Sequence, residues 1–211
     1  MENSQSTPPA AGAWIIPSAE TRPGWLWDTL AILAGSMLVA ICAQISFVLP
    51  TNPLVPVTMQ TFAVLVVGCA LGSRRGALAM VAYIAEGAAG LPVFQGFTNG
   101  IALVGPTAGY IVGFVPAAWL AGRVAESGWD RHILKSILGL SVATMVVFLC
   151  GLPWLGLYLG VIAPMAGVEL SLAALLSMGF WPYLPGAAFK ILGAASILPG
   201  GAALRDRNRT E

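Results

Sequence analysis

The chain has 211 residues, 57% of them hydrophobic and only 9% charged, with a formal net charge of +1. Soluble domains carry about 25% charged residues, so this composition excludes a water-soluble globule and marks an integral membrane protein. Ten basic residues are also too few to track a phosphate backbone, which leaves no nucleic-acid partner to expect.

The N-terminal residues 1–25 are polar and Pro-rich, with Glu2 and Glu20 and no short apolar run before a cleavage site. They are expected to be a disordered cytoplasmic tail that stays attached, not a secretory leader. Residues 26–200 are expected to form the membrane domain, and 201–211 a cytoplasmic C-terminal tail.

A transmembrane helix needs ~20 apolar residues. The first candidate runs from Leu26 to Leu49 and stops at Pro50-Thr51-Asn52-Pro53. The second covers Val57 to Leu71, ending at Gly72-Ser73-Arg74-Arg75-Gly76, and the third Ala77 to Ala89. A linker from Gly90 to Gly105 follows. The fourth opens at Pro106, a good first-turn residue, and ends near Val124; the fifth covers Ile133 to Leu149. A broken stretch then extends to Pro185, within which Glu169 to Phe180 reads as a short interfacial helix that begins at an acid, where the helix dipole favours one. The sixth covers Gly186 to Leu198, closed by Pro199-Gly200-Gly201. The fold class expected is thus all-α, a polytopic protein of six transmembrane helices.

Basic residues alternate between the connections. Arg22 precedes span one, Arg74 and Arg75 lie between spans two and three, Arg123, Arg131 and Lys135 lie between four and five, and Arg205, Arg207 and Arg209 follow span six. The other three connections contain no Lys or Arg. By the positive-inside rule this places both termini in the cytoplasm.

Polar side chains collect at the opposite ends of the spans. Thr58, Gln60 and Thr61 open span two, Glu86 ends span three, Asn99 lies in the outer linker, Tyr110 opens span four, and Trp181 and Lys190 flank the start of span six. Polar groups in a bilayer are expensive and usually face a cavity or a partner. The pattern predicts one pocket open to the outside, above an apolar plug. Lys190, the one basic residue inside a span, suits a carboxylate ligand, with Glu86 as a counter-charge. The bland alternatives are snorkelling for Lys190 and backbone bonding for the threonines.

Small residues recur every four positions on two spans. On span four, Gly109, Gly113, Ala117 and Ala121 read as internal packing. On span one, Ala31/Gly35 and Ser36/Ala40 could instead dock a partner membrane protein. Cys42, Cys69 and Cys150 lack metal-ligand spacing, and His132 is the one histidine, so no metal site and no cofactor are expected. A Gly-x-x-x-x-Gly-Lys-Ser/Thr loop is also lacking, so the chain does not itself hydrolyse ATP.

Four stretches together resemble the BioY family, the biotin-binding S components of energy-coupling-factor (ECF) transporters: VPVTMQTFAVLVVGCALGSRRGALA, YIAEGAAGLPVFQG, GPTAGYIVGF and YLPGAAFK. The likeness runs from about Ala31 to Leu198. It implies a six-helix fold in a bacterial inner membrane, with biotin captured on the outer side. It implies a transmembrane coupling subunit and two ATPase subunits as partners, ATP being bound only there, and it leaves a homo-oligomer open. The small face of span one, with Ala31, Gly35, Ser36 and Ala40, would meet the coupling subunit. Biotin's ureido ring suits Asn99, Gln60 and Thr58; its thioether bicycle suits Phe94, Tyr110 and Trp181; Lys190 suits its carboxylate or its ureido oxygen. One departure stands out: the family pattern in the last span is Pro-Gly-Asp-Leu-x-Lys, and here Ala187 takes the place of the acid. An S component for another small organic molecule, a membrane enzyme and a ligand-free structural subunit are the competing readings. The enzyme lacks a nucleophile–base pair or carboxylate–metal cluster.

Overall fold

The computed structural model describes residues 24–49, 52–162 and 171–207. The expected N-terminal tail through position 23, Glu169 and positions 208–211 lie outside these.

Among the described residues, six α-helices carry the fold: α1 (Gly24–Gln44), α2 (Gln60–Ala88), α3 (Ala108–Glu126), α4 (Ile133–Leu157), α5 (Leu172–Gly179) and α6 (Leu184–Arg207). Five helical stretches among the described residues are long and apolar enough to cross a bilayer. Large apolar side chains cover the outside of the bundle, including Leu30, Leu33 and Met37 on α1, Leu138 and Leu149 on α4, and Phe189 and Leu192 on α6. Such a surface is stable only against hydrocarbon, so the protein is membrane-embedded.

The second stretch is not one straight helix. Gly72 has φ 81° and ψ 173°, a conformation that a side chain would strain. A methyl group at Gly76 would stand 2.8 Å from the Cα of Gly68. In a continuous helix those positions lie roughly 12 Å apart. The chain therefore reverses at Gly72, and α2 is two antiparallel limbs, 60–71 and 73–88, which correspond to the expected spans two and three. Small residues permit the close packing around this reversal. A methyl group at Gly122 of α3 would sit 2.2 Å from the Ser73 nitrogen, and one at Gly68 would sit 2.4 Å from the Ala118 carbonyl oxygen. The second limb is capped by an acid: the Glu126 carboxylate accepts the Ser73 N–H and hydroxyl, each at 2.7 Å. Arg75 pairs with Asp28 of α1 at 2.7 Å. The reversal, the α3–α4 connection and the start of α1 thus share one end of the bundle, the basic end.

Three expectations need correction. The first span is shorter than expected, within a fold that is mostly helical: α1 ends at Gln44, and Ser46–Leu49 (β1) pairs antiparallel with Asn52–Thr58 (β2) in the register Ser46↔Thr58 and Phe47↔Val57. The apolar run expected to finish span one is β-prone, and in β2 the burial alternates, with Val55 and Val57 inside. A lone two-stranded ribbon is marginal; here the Tyr183 hydroxyl donates to the Val55 carbonyl and ties β2 to the start of α6. The fifth helix runs eight positions past Leu149, to Leu157, with Pro153 inside it. The sixth does not stop at Pro199 but continues to Arg207, so the expected C-terminal tail is largely helical; the ring removes one backbone donor and the remaining bonds carry the helix onward.

The small face of α1 is also corrected. Gly35, Ser36 and Ala40 are buried, and Ala31 is half-buried against the core. A methyl group at Gly35 would meet Val67 at 2.9 Å and Ala79 at 3.1 Å, one residue on each limb of α2. This face packs α1 onto its own chain. The small stripe of α3 is internal as expected: Gly109 abuts Trp154 and Cys150 of α4, and Gly113 abuts Cys150 and Val147.

Candidate functional site

At the end opposite the basic residues, a cavity opens between β2, the start of α2, the 90–107 connection, α3, α4 and α6. Below it, toward the basic end, Leu65, Cys69, Ala121, Leu140, Ala143, Ala194, Ala195 and Leu198 form a separate apolar cluster with full burial of most members. The cavity is therefore stoppered on one side by hydrocarbon and small residues.

Each wall has a local cause. The Phe94 ring, 1% exposed, enters because Gly87 leaves room for it; a methyl group there would stand 2.1 Å from the ring. Phe94 meets Tyr83 edge-on at 5.0 Å. The connection carrying Phe94 and Gln95 is anchored to α1, since Gln44 donates to the Phe94 carbonyl at 3.0 Å and accepts the Phe97 N–H at 3.1 Å. Tyr110 leans over Gly151, and its hydroxyl donates to the Gly179 carbonyl at 3.0 Å, so its ring and not its oxygen is what the cavity meets.

One corner is polar. Gln60, 5% exposed, donates from Nε2 to the Tyr83 hydroxyl at 2.6 Å. Its Oε1 accepts from the Thr58 hydroxyl at 2.9 Å. Next to it the Lys190 ammonium donates to the Thr61 hydroxyl at 2.9 Å. Lys190 is the one charged residue among the described residues lining the cavity, and Ala187, one turn before it on α6, lines the same wall.

Of the eight side chains expected at a ligand site, Thr58, Gln60, Phe94, Tyr110 and Lys190 line this cavity. Three do not. Glu86 turns toward α1, where the Ser36 hydroxyl lies 2.6 Å from both carboxylate oxygens; it is not a counter-charge to Lys190. The Asn99 side chain accepts from the Ile101 N–H of its own turn and is exposed. Trp181 is 58% exposed, stacked edge-on against Phe180 on the outer surface. The cavity adds wall residues not in the expected set: Gln95, Thr98, Thr107, Thr144, Phe148 and Tyr183. Most lie beside the selected motifs; Thr144 and Phe148, deep in the apolar run of α4, carry no sequence signal.

The BioY family profile matches residues 18–207. A probable biotin transporter BioY from Pyrococcus horikoshii is 41% identical over 124 residues, 58% of this chain and 70% of that protein. The biotin transporter BioY of Rhodobacter capsulatus is 43% identical over 94 residues, 43% of this chain and 49% of the relative. Biotin transporter BioY2 of Lactococcus lactis is 30% identical over 165 residues, 75% and 81% of the two chains. Among solved structures, the S-component for biotin from an ECF-type ABC transporter superposes with a TM-score of 0.69 at 20% identity, over 92% of this chain and 96% of that one.

Proposed function

The chain belongs to the BioY family, and from that membership we propose that it is the biotin-capturing S component of an ECF-type transporter, a transport subunit and not an enzyme. The observation that carries this reading is the cavity at the non-basic end, stoppered by apolar residues and holding a single cation. We take the two limbs of α2 as separate crossings, with α1, α3, α4 and α6 the other four, and the basic end as cytoplasmic. The cavity then opens to the outside of an inner membrane. Biotin would enter from there and bury its bicycle between Phe94, Tyr110 and Phe148. Its ureido group would meet the Gln60–Thr58 corner, and its carboxylate would meet Lys190.

The charge count supports the last assignment. No Asp or Glu lines the cavity among the described residues. A half-buried ammonium with no counter-ion on the cavity wall is costly, and a monoanionic ligand reduces that cost. Release toward the cytoplasm requires the apolar cluster to part, work for which this chain has no phosphate loop. A transmembrane coupling subunit and two ATPase subunits would supply it. Since Gly35 and Ser36 are committed internally, the coupling subunit would meet the outward face of α1 around Leu30, Leu33 and Met37.

The test is binding of tritiated biotin to the detergent-purified chain, with desthiobiotin and lipoate as competitors. Saturable binding of one biotin per chain is expected. A second reading, capture of a different small organic acid, follows from Ala187 in place of the family's acid; a competitor that outranks biotin would establish it. No saturable binding of any of the three contradicts both.

A further inference from the structure

Tyr83 is fully buried and does not line the cavity, yet its hydroxyl decides what the cavity offers a ligand. A phenol has one hydrogen to give. The Val93 carbonyl, 3.1 Å from the Tyr83 oxygen, can only accept, so that hydrogen goes to Val93. What Tyr83 turns to Gln60, 2.6 Å away, is then a lone pair, which only the amide nitrogen can serve. On the other side, the Thr58 hydroxyl donates to the amide oxygen while accepting the Gln60 backbone N–H at 3.3 Å. Reversing the amide would set its oxygen against the Tyr83 lone pair, or take the phenol hydrogen away from the Val93 carbonyl, a cost that falls on a fully buried tyrosine.

We propose that Tyr83 is a positioning residue for ligand recognition: through the Val93–Tyr83–Gln60–Thr58 chain it locks the Gln60 amide so that the cavity is offered a fixed N–H donor beside fixed acceptors. The inference rests on the reading that Gln60 contacts the ligand's ureido group. A ureido ring presents one carbonyl acceptor and two N–H donors, the complement of that corner. A ligand with the carbonyl replaced by a donor is refused because the amide cannot turn to meet it. Tyr83 therefore sets selectivity from outside the cavity.

The experiment measures Kd for biotin and for 2-iminobiotin, whose ring carries a nitrogen donor in place of the ureido carbonyl, on four purified chains: wild type, Tyr83→Phe, Gln60→Ala and the double variant. Tyr83→Phe keeps the ring packed on Phe94 and removes only the hydroxyl. It is expected to weaken biotin about tenfold, the scale of one buried hydrogen bond, and to narrow the biotin-to-iminobiotin ratio by a similar factor. In the Gln60→Ala background, Tyr83→Phe is expected to change neither value. Equal weakening of both ligands by Tyr83→Phe, or the same loss with and without Gln60, would make Tyr83 structural only and overturn the proposal. If Tyr83→Phe is not recovered folded, Thr58→Val removes the hydroxyl on the other side of the amide and is expected to narrow the same ratio; an unchanged ratio would overturn the lock. Wild-type chain that binds no biotin refutes the functional reading itself, an outcome distinct from wild-type binding with an unmoved ratio.

Discussion

Replacing Lys190 by Met removes the one charge that the described residues bring to the cavity wall while keeping an unbranched side chain of similar length. The ammonium has three hydrogens, and one is spent on Thr61 at 2.9 Å. Two remain for a ligand carboxylate. Hydrogen bonds to charged groups contribute ≈1.5–3 kcal/mol each, and part of that gain offsets desolvation of both ions. A net loss of about 3 kcal/mol is reasonable, which is on the order of a hundredfold in Kd. Fold stability should hardly move, because the Thr61 hydroxyl can turn back to its own helix. The assay is isothermal titration of biotin and biotinamide into purified wild type and Lys190→Met. Wild type is expected to prefer biotin strongly, and the variant to lose that preference while keeping most of its affinity for the amide. Equal affinity of wild type for acid and amide would refute the assignment of Lys190 to the carboxylate. Unchanged biotin affinity in the variant would remove Lys190 from the site.

Ala187→Asp sets a carboxylate one turn from Lys190 on the same wall; it is expected to cut the preference for biotin over biotinamide severalfold, as part of the lysine's charge is then satisfied within the chain, and titration with the same two ligands checks this. Gly35→Leu is expected to lower the thermal unfolding temperature of the isolated protein in detergent, because Val67 and Ala79 leave no space and overpacking costs about 1–3 kcal/mol; an unchanged melting temperature would return this face of α1 to the surface. Gly122→Ala should do at least as much harm, since its methyl would press on the backbone at Ser73, and the recovered yield of monodisperse protein reads the effect.

Much of the architecture was legible because membrane insertion constrains sequence strongly. Arg74 and Arg75 mark the reversal at Gly72, where no longer loop separates the two limbs. The ribbon was not legible: Ser46–Leu49 is a short apolar run, and such runs read equally well as helix or strand. At the site, residue type located the right end of the bundle but not the direction of each side chain. Asn99 has the right chemistry for a ureido group, yet its side chain is exposed and does not line the cavity. Glu86 was legible as an acid near the pocket, while the helix face that turns it to Ser36 was not. The four-residue spacing of Ala31, Gly35, Ser36 and Ala40 reports close approach without naming the neighbour. Tyr83 was missed because an aromatic in an apolar run reads as core. Its signal is positional: Gln60 and Tyr83 lie nearly equidistant from Gly72, so a reversal there brings them side by side.

On the proposed function, biotin occupies the cavity at the non-basic end and reaches it from outside the cell. Substituted-cysteine protection tests it directly, with the native Cys42, Cys69 and Cys150 replaced and a single cysteine introduced at Thr98, on the cavity wall. A membrane-impermeant maleimide should label that cysteine in intact cells, and biotin should block the labelling. Labelling only after the cytoplasmic face is opened, or labelling that saturating biotin leaves unchanged, would contradict the account.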